Sequence, residues 1–109
     1  MRAEEAACAF LLGRGLTLVE RNWRSRFGEI DLVLREAGTI VFVEVRLRTG
    51  TAHGGAAESI DRKKRERLLA AARLYLSGRG EQPCRFDVVL LSRLDPPEID
   101  WIRDAISES

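Results

Sequence analysis

At 109 residues the chain reads as a single domain, residues 1–109, long enough for a real if modest core. A hydrophobic content of 45% beside 32% charged residues fits an ordinary soluble globular protein. The net charge of +1 exerts no global pull on nucleic acid, so that partner must be argued from a local patch. No apolar run approaches a membrane span and the N-terminus has no signal-peptide h-region, so no membrane partner is expected and the cytoplasm is the expected compartment. Cys8 and Cys84 lie far apart without a CxxC or histidine companion and read as reduced, packed thiols.

The first element is a helix over Arg2–Gly13, where Ala3, Ala6, Ala7, Phe10 and Leu11 recur at helical spacing. Glu4 and Glu5 suit the positive end of its dipole; alternatively, one of them reaches an acidic cluster described below. Gly13 and Gly15 end the helix, and Leu16–Trp23 follows as a strand. Arg24–Gly28 then connects to a hairpin. Arg21, Arg24 and Arg26, beside Trp23 and Phe27, are suited to phosphates and stacked bases, or else form a solvated edge over two core aromatics.

The segment Gly28–Arg48 carries the most information. Strict alternation puts Ile30, Leu32 and Leu34 on one face, with Glu29, Asp31 and Val33 on the other. The return strand alternates as well: Val41, Val43, Val45 and Leu47 against Ile40, Phe42, Glu44 and Arg46. A short turn around Ala37–Gly38, with glycine where φ > 0 is needed, sets Arg35 against Ile40. The same register sets Asp31 opposite Glu44, with Cβ atoms roughly 5 Å apart. Like charges so placed call for a cation, and with Arg46 two residues beyond they suggest a metal site for phosphate chemistry.

Thr49–Gly55 is a glycine-rich loop without the spacing or lysine of a Walker motif, and His53 in it is given no role. The second helix covers Ala57–Ser77, capped by Ser59 or Asp61, with Leu68, Ala71, Ala72, Tyr75 and Leu76 as its apolar stripe. Its first turns carry Arg62, Lys63, Lys64, Arg65 and Arg67, which oppose the helix dipole and repel one another. Such an end suits an anionic polymer, against the plain reading of a solvated basic face. Arg85–Leu91 is a third strand bearing an acid, Asp87; Asp95–Pro97 is a turn, Ile99–Arg103 an edge strand, and the tail to Ser109 is expected to fray. The order α, β, β-hairpin, α, β, β predicts an α/β fold, a central mixed sheet flanked by helices.

Trp23-Arg24, Arg26-Phe27-Gly28-Glu29-Ile30-Asp31-Leu32, Val41-Phe42-Val43-Glu44-Val45, Lys63-Lys64 and Arg85-Phe86-Asp87-Val88-Val89 follow one another in a specific order. In this order and spacing the chain resembles the YraN-like uncharacterised protein family (UPF 0102). That family is similar to the PD-(D/E)XK restriction-endonuclease-like nucleases, most closely the archaeal Holliday-junction resolvases. The resemblance covers almost the whole chain and implies a restriction-endonuclease-like core. It implies Asp31 and Glu44 as metal ligands, a glutamate of the first helix (Glu4 or Glu5) nearby, and Arg46 at the motif's lysine position. With Mg²⁺ or Mn²⁺ as cofactor, the main-chain carbonyl of Val45 joins the ligands.

The expected activity is metal-dependent endonucleolytic hydrolysis of DNA, branched or damaged DNA included. Arg24, Arg26, Arg62, Lys63, Lys64 and Arg67 are the expected nucleic-acid contacts, and a homodimer is compatible with the reading. Arg46 departs from the family's usual lysine: with a pKa above about 12 it can offset phosphate charge but cannot take a proton from water. The alternative is therefore a non-catalytic nucleic-acid-binding module on the same fold.

Overall fold

A computed structural model describes residues 2–47 and 60–106. The elements are α1 (Ala3–Gly13), β1 (Thr17–Ser25), β2 (Gly28–Glu36), β3 (Thr39–Leu47), α2 (Arg62–Leu76), β4 (Cys84–Leu94) and β5 (Pro97–Ile102). The glycine-rich loop with His53, Arg48, the proposed cap Ser59, the helix start at Ala57 and the last residues of the tail lie outside the described residues. No helix among the described residues is long and apolar enough to cross a membrane.

One mixed sheet holds all five strands in the order β1-β2-β3-β4-β5. β1–β2, β2–β3 and β4–β5 are antiparallel, while β3 and β4 run parallel. Parallel neighbours cannot be joined by a tight turn, and α2 provides the crossover between them. Asp61 caps α2, its Oδ1 accepting from the Lys64 amide at 2.8 Å. This cap offsets part of the cost of five cations in the opening turns.

The helices cover opposite faces of the sheet. On one face Leu68, Ala71, Ala72 and Tyr75 of α2 pack on Ile40, Phe42, Phe86, Val88 and Leu90. On the other, Ala6, Ala7, Cys8 and Leu11 of α1 pack on Leu32, Leu34, Val41, Val43, Val89 and Leu91. Residues of β3, and of β4 as far as Leu91, alternate between the two covered faces; a bulge between Leu91 and Arg93 then shifts the pattern, and Leu94 packs on the α1 side with Val89 and Leu91.

The β2–β3 turn fixes the expected register, with Arg35 opposite Ile40. Its left-handed residue is Ala37 at φ 51°, rather than Gly38. A residue with a Cβ is strained there, by about 1 kcal/mol.

Alternation fails in β1 and β2, and it fails at paired positions. Leu32 and Leu34 pack on the α1 side as expected, but Ile30 packs with Val33 on the α2 side. In β1, Arg21 reaches Cys8 of α1, whereas Trp23 stacks edge-on against Tyr75 of α2. Between them lie Asn22, left-handed at φ 49°, and Asp31, a pair missing from a ladder whose other irregularity is a bulge between Leu18 and Glu20. Asparagine tolerates that conformation through local hydrogen bonding. The left-handed residue turns the strand over, so both strands present their other face beyond it. The β2–β3 ladder ends just before this point, at Leu32↔Val43, whereas β3 stays paired with β4 as far as Leu47. The sheet forks there.

Candidate functional site

The fork collects the acidic residues. Asp31 lies at the reversal in β2, and its Oδ2 accepts a hydrogen bond from the Val45 amide across the gap, at 2.9 Å. Oxygens of Asp31, Glu29 and Glu4 all lie within 4.8 Å of one another. α1 thus delivers Glu4 to the cluster; Asn22 Nδ2 steadies it by donating to Glu4 Oε1 at 3.0 Å. Glu5, the other candidate of the first helix, is exposed and outside this group.

Glu44 occupies the opposite side of the fork. It is only 4% exposed, and its Oε2 is held by Lys64 Nζ at 3.0 Å and Arg46 Nη1 at 3.7 Å. A buried carboxylate needs such partners. Lys64 therefore anchors α2 to the fork as well as adding to the basic end of that helix. Asp31 and Glu44 remain close enough to feel each other, although Asp31 groups with Glu4 and Glu29. Burial, then the charge of Glu44, pushes the Asp31 carboxyl up to about 7, with Glu4 and Glu29 adding to the effect.

That shift has a consequence for stability. The unfolded carboxyl titrates near 3.9, so between roughly pH 4 and 7 the folded chain holds the extra proton. Stability contributed by protonated Asp31 is complete below that window and lost as pH rises through about 7. Metal-free protein is expected to melt several degrees lower at pH 8 than at pH 5. Asp31→Asn, which keeps an acceptor for the Val45 amide, should melt above the native chain at pH 8 and lose that part of the slope. Thermal melts of both proteins across this range check it; identical slopes would remove Asp31 as the cause.

In extended backbone a residue's N–H and C=O project to the same strand edge. Val45 sends its N–H towards Asp31, so its carbonyl faces the fork too. Carboxylates from α1 and β2 thus converge, with Glu44 of β3 across the fork from them and the Val45 carbonyl on the fork's edge, so the donors around the fork are oxygens. Hard divalent cations prefer such donors.

The basic residues divide. Arg24 is exposed and bound to Glu29 at 3.2 Å, so it flanks the cluster. Arg62 pairs with Glu66 one helical turn on. Arg26 lies over the Phe27 ring, its guanidinium carbon 4.7 Å from the centroid. Arg26, Lys63 and Arg67 have no carboxylate partner among the described residues. Sequence reasoning placed Glu29 on the face of Asp31 without making it a site residue, and gave Lys64 no role at Glu44. The signal for Glu29 is its spacing of two from Asp31; the Lys64 contact depends on how α2 docks.

A second acidic position resolves differently. Asp87 of β4 is 1% exposed and fully partnered. Its Oδ1 accepts from Arg85 Nε at 3.0 Å and the Asp104 amide at 2.9 Å. Its Oδ2 accepts from Arg85 Nη2 at 3.2 Å and Trp101 Nε1 at 2.9 Å. Glu36 extends the network: Arg103 first, then Arg85, hold its carboxyl below the usual range. Asp87 is structural.

Taken together, these features define a mixed α/β domain with an acidic fork between two central strands. The chain belongs to the uncharacterised protein family UPF0102, whose profile matches residues 3–91. It is 56% identical over 108 residues to a UPF0102 protein of Nitrosomonas europaea, covering 98% of this chain and 92% of that one. It is 50% identical over 105 residues to one of Methylobacillus flagellatus, covering 96% and 93%. A third, from Pseudomonas paraeruginosa, is 50% identical over 110 residues, covering 95% and 88%.

Proposed function

We propose that this chain is a divalent-metal-dependent endonuclease that hydrolyses phosphodiester bonds in DNA. The observation that carries the reading is the unequal charge balance of the fork. Glu44 has two cationic partners, whereas Asp31 sits half-buried against Glu4 and Glu29 with a single amide donor. A structural carboxylate would be satisfied as Asp87 is; an unbalanced cluster of oxygens is suited to a cation.

Asp31, Glu4, Glu29, Glu44 and the Val45 carbonyl would hold Mg²⁺ or Mn²⁺. Such an ion lowers the pKa of water and offsets charge developing on the phosphoryl group. The chain's own cations act beside it. Arg46, partly exposed and 3.7 Å from Glu44, can donate to a non-bridging phosphate oxygen without changing protonation state. Lys64 sits on the same oxygen of Glu44 and keeps that carboxylate turned into the fork. Glu4 and Glu29, whose oxygens lie within 4.8 Å of Asp31, would orient water by accepting its hydrogens.

A second reading has its own support. Arg46 cannot accept a proton, so a nucleic-acid-binding module without turnover also fits this fork. Assays of DNA cleavage with Mg²⁺ and Mn²⁺ on linear, flapped and four-way substrates separate the two. Under the hydrolase reading the native chain cleaves, Arg46→Lys keeps or raises the rate, and Arg46→Ala loses on the order of a hundredfold. No cleavage by the native chain or Arg46→Lys, with binding retained, would establish the module instead.

A further inference from the structure

We infer that a groove leading from the acidic fork across Phe27 to the first turns of α2 holds an unpaired nucleic-acid strand, one nucleotide seated in its inner cleft. This rests on the hydrolase reading and gives its substrate class: single-stranded DNA or an unpaired segment of a branched one. The inner cleft is about 400 Å³ and is lined by Arg26, Phe27, Glu29, Lys64 and Arg67 among others. It opens on the fork, because Glu29 belongs to the acidic group and Lys64 is bound to Glu44. A second cleft of about 340 Å³ shares Phe27 and Arg67 with the first and adds Lys63, Ala70 and Glu66, whose carboxylate is paired with Arg62. The two form one track along α2.

The chemistry of the track discriminates between strands. Arg26, Lys63 and Arg67 are exposed along it without a carboxylate partner among the described residues, so a phosphate chain can take them without breaking an ion pair. Phe27 is half-buried and stands at the junction of the two clefts, with the Arg26 guanidinium over its ring. A cation held on an aromatic ring is a stacking surface for a base, and stacking is independent of sequence. Bases in a duplex are already stacked and paired, and a helix that wide offers a cleft of one-nucleotide size only its backbone. The cleft volume and the ring at its mouth therefore select a strand whose bases are free.

The test uses the full chain in chelator, so that no cleavage occurs, with a short fluorescent oligothymidylate and a duplex of equal length at low salt. Anisotropy should show the single strand bound about tenfold tighter than the duplex. Arg26→Ala and Arg67→Ala, both at exposed positions, should each lower single-strand affinity about tenfold and duplex affinity much less. Phe27→Leu, which preserves apolar volume, should weaken the single strand alone. Equal or tighter duplex binding, equal losses on both ligands in the arginine variants, or no binding at all would overturn the inference. Manganese-dependent hydrolysis of bis(p-nitrophenyl) phosphate, which needs no groove, is read separately on the same preparation. If hydrolysis persists without strand preference, the groove fails and the hydrolase reading stands; strand preference without any hydrolysis leaves the groove and removes the hydrolase.

Discussion

Asp87→Ala is expected to lower the melting temperature by more than about 12 °C, taking roughly 4 °C per kcal/mol for a domain of this size. The side chain ties Arg85 on its own strand, the indole of Trp101 on β5 and the amide of Asp104 beyond it. Truncation leaves an indole N–H and a main-chain N–H without acceptors and strips the poorly solvated Arg85 guanidinium of one of its two carboxylate partners, leaving only Glu36. Removing one partner of a buried ion pair costs about 3–5 kcal/mol. Asp87→Asn should fall between the two, because one oxygen still accepts while the bidentate ion pair is lost. A drop of only a few degrees for the alanine variant, followed by circular dichroism, would show that β5 does not depend on this anchor.

Under the proposed hydrolase reading, Glu44→Gln should reduce metal-dependent DNA hydrolysis on the order of a thousandfold while leaving the fold intact. The amide is isosteric, and its oxygen can still accept from Lys64, whose Nζ lies 3.0 Å from the native carboxylate. What disappears is one negative charge facing Asp31 and one strong oxygen donor to a divalent cation. A metal's contribution to stabilising transition-state charge is several kcal/mol, and each 1.4 kcal/mol or so is tenfold in rate. Binding of an oligonucleotide in chelator should be unchanged or slightly tighter, since a carboxylate is removed from Lys64, which lines the proposed groove. Single-turnover cleavage assays measure the rate. Undiminished hydrolysis would place the chemistry elsewhere in the molecule.

How far the sequence revealed this arrangement varies from element to element. The central hairpin was legible because a two-residue turn fixes the pairing of Arg35 with Ile40, and everything in the ladder up to Leu32 and Val43 follows. The stripe Leu68, Ala71, Ala72 and Tyr75 was legible because an amphipathic helix buries its apolar face wherever it docks. The reversal at Asn22 and Asp31 was not. A period-two reading assumes that every residue is extended, and one left-handed residue turns the pattern over. Ile30 consequently lies on the side opposite Leu32, and Asp31 meets Glu4 and Glu29 at the fork. Asp31 and Asp87 look alike along the chain, an acid amid branched apolar residues. Only their partners, three donor groups around Asp87 and two carboxylates beside Asp31, separate an anchor from a candidate ligand.

The central claim is that the acidic fork holds a divalent cation, and titration calorimetry with Mn²⁺ at pH 8 tests it most directly. The account predicts saturable binding by the native chain. It predicts at least a tenfold weaker association for Asp31→Asn, a variant that keeps an acceptor for the Val45 amide and so stays folded. Absence of manganese binding by the native chain, or equal binding by both proteins, would contradict it.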